Sequence, residues 1–210
     1  MPRADATRNR RLVVDAAAAE LAEHGVDVSM ARIATRAGVA KGTIFNHFPS
    51  KEDLVAAIFC DQFAALTATG EALLEQADPK KALLEFMTAG AELQAGDRAL
   101  CQAAATISRD HPDVRAASDH LADVAERLTA RARHSGAIRD DITGHDIVLL
   151  LAAPASIATP VAVVRPGLWR RYLHLILDAL APEAAHPLPA AAPTAQDFTA
   201  AAENSASLSR

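Results

Sequence analysis

Between Ser29 and Lys51 the sequence carries donors and acceptors suited to gripping a polyanion rather than to making or breaking bonds. Lys41, Thr43, Asn46 and His47 fall within one short stretch, and such side chains reach base edges and phosphates when a helix lies in a major groove. Lys51 and Ser29 stand where helices are expected to begin, and free backbone N–H groups there favour phosphate. Bond-making chemistry has no such signature. No GxSxG, GxGxxG or P-loop run occurs, and no Ser, His and Asp grouping is legible. The eight histidines show neither HxxxH nor HExxH spacing, and Cys60 and Cys101 lack a CxxC partner. The expectation is no catalytic residue, no metal and no cofactor, hence not an enzyme.

The elements that must hold these residues are short helices. Val13, Ala17 and Leu21 recur at i, i+4 and i+8, which predicts a first helix over Leu12–His24 ended by Gly25. Ser29 is an N-cap before a second helix, Met30–Ala37, with Ile33, Ala34 and Ala37 on its inner face and Gly38 at the turn. A third runs over Lys41–Phe48 and stops before Pro49. Ser50 and Asp53 form a capping box, with Asp replacing the usual Glu, that opens a helix to about Thr69. Ala34, Gly38 and Ile44 occupy the small, turn and anchoring positions of a helix-turn-helix. A plain surface hairpin of helices is the alternative that spacing alone leaves open.

The stretch Val13–Ile58 narrows that choice. Its runs Met30-Ala31-Arg32-Ile33-Ala34, Ala37-Gly38-Val39-Ala40-Lys41-Gly42-Thr43-Ile44-Phe45 and His47-Phe48-Pro49-Ser50-Lys51-Glu52-Asp53-Leu54 resemble the DNA-binding domain of the tetracycline-repressor (TetR) family. The resemblance implies an all-α, dimeric transcription regulator, usually a repressor, with three helices on a double-stranded DNA operator and a variable helical body for a small effector. Carried over by position, its DNA contacts fall on Ser29, Arg32, Lys41, Gly42, Thr43, Phe45, Asn46, His47 and Lys51. Phe45 stands where the family often has Tyr and lacks the hydroxyl for a phosphate bond, so it is expected only to pack. Ala40 stands where a Ser commonly caps the recognition helix, a loss of about 1 kcal/mol. Ala17 and Ala18 make the core face of the first helix thin.

Charge is distributed to match. Residues 1–51 hold eight cations (Arg3, Arg8, Arg10, Arg11, Arg32, Arg36, Lys41, Lys51) and five anions (Asp5, Asp15, Glu20, Glu23, Asp27), so a +3 head sits in a chain of net −5. That excludes nucleic-acid coating by the whole surface and leaves attraction confined to one end. Residues 1–11 read as a flexible basic arm, either reaching an adjacent minor groove or merely solubilising. The division expected is arm 1–11, helix-turn-helix domain 12–50, ligand-binding and dimerisation domain 51–181, and a disordered Ala/Pro-rich tail 182–210.

Fifty alanines against eight aromatics favour helix throughout. Beyond Gly70, helices are expected over Lys80–Gln94, Arg98–Ser108, Asp113–Arg133, from about Gly144, and over Gly167–Leu180. Ile147–Val164 carries no charge, yet Pro154 and Pro160 interrupt it, and a buried helix pair is expected there rather than a membrane span. In the resembled family the last two helices pair with a second copy, which places the uncharged run at a homodimer interface; an intramolecular core helix is the alternative. Phe59, Phe63, Phe86, Met87, Cys101 and Ile107 are candidates to line a cavity for an apolar or amphipathic effector, or else plain core. The alanines suit either close packing or a cavity. The cysteine usage and a basic, polar N-terminus point to the cytoplasm. The rival from another class is a helical ligand-binding protein or enzyme whose head is a relic or a protein-interaction module.

Overall fold

A computed structural model of the chain describes residues 2–25, 27–96 and 111–208. Every regular element among them is helical: α1 Pro2–His24, α2 Met30–Ala37, α3 Lys41–His47, α4 Lys51–Leu73, α5 Pro79–Gly96, α6 Pro112–His134, α7 Gly144–Ala158, α8 Trp169–Ala179 and α9 Ala195–Leu208, with 3-10 turns at Thr159–Val161 and Pro182–Ala184. The helix expected over Arg98–Ser108, with Cys101 and Ile107, lies outside the described residues. The chain forms two compact units, one drawn from Met1–Gln62 and Asp97–Ala117, the other from Phe63–Gly96 and Ser118–Arg210. The domain boundary expected after residue 50 therefore falls instead inside α4. The reason is burial: Leu54 to Phe59 are six consecutive buried residues, so the first turns of α4 complete the first unit's core.

In the first unit α1 packs on α2, and both meet α3. Val13, Ala17 and Leu21 of α1, Ile33 and Ala34 of α2 and Ile44 of α3 are all at or below 3 % exposure. Each Ile or Leu so buried contributes about 1.5–3 kcal/mol. The turn between α2 and α3 depends on Gly38, whose φ of 67° is left-handed. There the Gly38 and Val39 N–H groups donate to Thr35 O and Ala34 O at 3.2 and 3.1 Å, which closes α2 in a Schellman pattern.

Residues 2–11 are not the expected flexible arm but the opening turns of α1. Pro2 suits a first helical position, and the Ala and Arg residues that follow have high helix propensity, which outweighed the missing apolar period. Arg11 pairs with Asp15 one turn on at 3.3 Å, and the Arg10 guanidinium lies 5.4 Å from the centre of the Phe48 ring.

In the second unit α5, α7 and α8 pack on one another, around Leu83, Phe86, Met87, Leu128, Ile147, Leu151, Trp169 and Leu173. Ala82, Ala91, Ala125 and Ala132 are fully buried here, so these alanines serve close packing. Gly90 shows how close: a Cβ there would lie 2.8 Å from Leu151 Cδ2. Arg133 and Glu126 of α6 fix the start of α7, donating to Ile142 O at 2.9 Å and accepting from Gly144 N at 2.5 Å. Thr143 and Asp146 add a capping box.

The tail expected to be disordered is ordered in part. Arg139, 6 % exposed, binds Asp141 and also donates to His186 O at 2.6 Å, while its own N–H donates to Leu180 O. The bidentate Asp141 contact outweighs the burial of Arg139, lifting its pKa above the ordinary arginine value and lowering that of Asp141. Thr194 and Asp197 then cap α9, and Phe198 rests against His145 at 5.3 Å between ring centres. Composition alone missed this because the anchor, Arg139, lies 47 residues before His186.

Candidate nucleic-acid interface

α3 is seven residues long and is pinned from below by Ile44, 0 % exposed, and by Phe48 just past its end, 3 % exposed. With position 44 fixed inward, helical geometry turns positions 42, 45 and 46 outward, and Gly42, Phe45 and Asn46 are exposed, as is Lys41 at the first position of the helix. Thr43 and His47, also one turn apart, are half-buried at the margin of that face. Phe45 departs from expectation: it is 41 % exposed and presents its ring outward instead of packing. Ala40 precedes the helix with extended backbone and no side-chain cap, so it meets the leading amides of α3 only through its carbonyl, which accepts from Thr43 N and Ile44 N at 2.9 and 3.4 Å.

The flanking helix starts are built differently. Ser29 Oγ accepts from Arg32 N at 3.3 Å and caps α2. At α4, Ser50 N and Ser50 Oγ donate to Asp53 Oδ2 at 3.0 and 2.6 Å, and Asp53 N returns a bond to Ser50 Oγ at 3.0 Å. The Ser50 hydroxyl, helped by the Ser50 N–H and His111, holds the Asp53 carboxyl below the usual range against the opposing effect of burial. Lys51, half-buried, opens α4 directly beside this box.

Arg32, also expected at the DNA, makes contacts within the head. Its Nε donates to Glu20 Oε2 at 2.5 Å and its Nη2 lies 2.7 Å from His24 Nε2, so the guanidinium braces α2 against α1. Arg36 reaches Glu20 and Glu23 from the next turn. Burial opposes ionisation of Glu20, 5 % exposed, but hydrogen bonds from Arg32 and Arg36 outweigh it and hold the carboxyl below its ordinary value. Glu23 is lowered chiefly by its bond from Arg36, whose own pKa rises in return. Sequence reading missed this brace. The signal was present: Glu20, Glu23 and His24 share one face of α1, and Arg32 and Arg36 share one face of α2.

The candidate effector residues divide. Phe86 and Met87 are fully buried in the second unit's core, with Phe63 packed against it, while Phe59 is buried in the first unit. Among the described residues no group of three His, Cys, Asp or Glu side chains is placed to hold a metal ion.

A short helix anchored on one side, with Lys41, Phe45 and Asn46 outward and a glycine turn behind it, defines a helix-turn-helix DNA-binding protein. Residues 13–58 match the family described as bacterial regulatory proteins, tetR family, and residues 78–182, half of the chain, match the C-terminal domain described as transcriptional regulator SbtR-like. The chain belongs to the TetR family of DNA-binding transcription regulators. It is 34 % identical over 90 residues to the fatty acid metabolism regulator protein of Bacillus subtilis, which covers 42 % of this chain and 46 % of that protein, so the match spans about half of the curated relative. The crystal structure of a TetR transcription regulatory protein from Mycobacterium vanbaalenii is similar with a TM-score of 0.62 and 29 % identity, over 86 % of this chain and 99 % of that one. FadR from Bacillus subtilis, solved in complex with stearoyl-CoA, shares the fold with a TM-score of 0.65 at 20 % identity, over 84 % of this chain and 99 % of that one.

Proposed function

We propose that this regulator acts as a homodimeric repressor, cytoplasmic and without a catalytic step, released from a palindromic operator when a small effector binds its helical body. The observation that carries the DNA part is the outward face of α3. On it Lys41 and Gly42 meet phosphate, Phe45 and Asn46 meet base edges, and Thr43 and His47 flank them; Ser29 and Lys51 meet the backbone from neighbouring helix starts. Arg32 acts on DNA only by orienting α2.

Dimerisation rests on the uncharged run. Gly144–Val161 is long and apolar enough to cross a membrane, with mean hydropathy 1.3, yet only 28 % of it is buried within the protomer. Leu149 and Ile157 on α7 and Leu175 on α8 are each at least half exposed. A second copy of the same two helices covers this face and holds two α3 helices for half-sites about 34–36 Å apart or a multiple of that. The effector is apolar or amphipathic, matching the second unit's aliphatic and aromatic core, and the name of the 34 %-identical relative makes a fatty acyl compound the first class to try.

Binding to a duplex from the gene's own upstream region, titrated against salt beside an unrelated duplex, tests the DNA part. Preference for the upstream duplex is expected to exceed about 10³-fold, and equal affinities would remove the reading. Stearoyl-CoA added to the complex tests the effector class, with a fall in affinity of about fivefold or more expected.

A further inference from the structure

Asp53 divides its two carboxylate oxygens. Oδ2 accepts both bonds from Ser50 at the start of α4, while Oδ1 stands 3.5 Å from Nε2 of His111. His111 immediately precedes α6, and its other ring nitrogen, Nδ1, accepts from Asp113 N at 3.3 Å. The tautomer follows. A nitrogen that accepts from a backbone N–H carries no proton, so in the neutral ring the proton is on Nε2, the atom 3.5 Å from Asp53 Oδ1. One imidazole, about three-quarters buried, thus links the amino end of α6 to the amino end of α4. Among the described residues the Asp113 carboxylate also stands near the ring, 4.0 Å from Nδ1.

Both helices continue beyond this link. α4 opens at Lys51, beside the proposed phosphate contacts, and runs on into the second unit; α6 starts at Pro112 in the first unit and also runs on into the second. Within the first unit, the start of α6 and the Ser50–Asp53 capping box thus meet through one imidazole. We propose that His111 is a positioning residue for operator binding, a tie in the Nε2–H tautomer that makes the seating of Ser50 and Lys51 on the duplex depend on where α6 stands. This rests on the regulator reading given above. By reciprocity, a duplex that fixes Ser50 and Lys51 must also steady the start of α6.

Two substitutions separate the tie from simple helix capping. His111→Asn keeps a side-chain acceptor before α6, since Asn is a good N-cap, but is too short to reach Asp53. His111→Gln places an amide donor near the former Nε2 position. Amide hydrogen exchange of the full chain, with and without the upstream duplex, reads the coupling. In the unsubstituted protein the duplex is expected to slow exchange over residues 114–118 by about fivefold or more; His111→Asn loses that slowing and His111→Gln regains part of it. Retention of the slowing in His111→Asn, or its absence in the unsubstituted protein, overturns the proposal. Imidazole ¹⁵N NMR of the DNA-free protein checks the geometry separately: Nδ1 is expected unprotonated and Nε2 protonated, and the reverse assignment also overturns it. If the protein shows no preference for its upstream duplex while the NMR tautomer is as expected, the regulator reading falls and the local tie stands.

Discussion

Arg36 grips Glu23 with both terminal nitrogens, at 2.7 and 2.6 Å, and its Nη1 also lies 3.2 Å from Glu20. Together with Arg32 on Glu20, this commits two of the head's eight cations to holding α1 and α2 together. The attraction for DNA is therefore weaker than the charge count suggests, and the brace guards the angle at which α2 presents α3.

Glu20→Gln removes the shared acceptor. Thermal unfolding of the head is expected at lower temperature, while binding to an unrelated duplex at low salt strengthens by about threefold with a steeper salt slope, because Arg32 gains freedom to meet phosphate while Arg36 stays on Glu23. Fluorescence anisotropy across a salt series measures both slope and affinity; an unchanged slope would show that Arg32 is not released.

Acid should loosen the same unit. The carboxyls of Glu20, Glu23 and Asp53 titrate below their ordinary values when folded. A group with a depressed folded pKa contributes its stability fully above the unfolded pKa, about 4 for Asp and Glu, and loses it as pH falls through the folded value. Stability from these groups is therefore flat from neutral pH down to about 5 and declines below about 4. Urea midpoints between pH 3 and 7 check this, and the decline should shrink in Glu20→Gln.

Charge and readout on α3 should separate cleanly. Lys41→Ala and Lys51→Ala are expected to weaken all duplexes alike and to lower the salt slope by about one each. Asn46→Ala should cost about 1–3 kcal/mol on the preferred site and little on variants altered at the bases it reads. An equal loss on every base variant would exclude Asn46 from readout.

Leu149→Asp and Ile157→Glu place a charge on exposed positions of α7. A monomer is expected in sedimentation, with operator affinity falling by at least about tenfold because the two heads no longer bind as a pair. The far-UV circular dichroism should stay unchanged, since neither side chain is buried in the protomer. A variant that remains dimeric would move the interface elsewhere.

The helix-turn-helix was legible because its signals are local: Ser29 caps α2, Gly38 ends it with positive φ, and Ser50 with Asp53 opens α4. Long-range pairings escaped. The Glu20–Arg32 brace spans 12 residues and the Arg139–His186 tie 47, and neither leaves a periodic mark. Residues 2–11 escape for another reason, since a helix of Arg and Ala without an apolar stripe has the composition of a solvated arm. For Phe45, position in a family predicted contact, but only the inward anchor at Ile44 shows which way the ring faces.

The bare amino end of α3, with Ala40 supplying no cap, makes this the helix with the least local reserve in the head. Seven residues without a capping side chain cannot hold a helix alone in water, so its order is borrowed from Ile44 and Phe48 beneath it. In the proposed complex with DNA, part of the binding free energy would go into firming α3, so a site that fits the helix well would be left more slowly than one that does not.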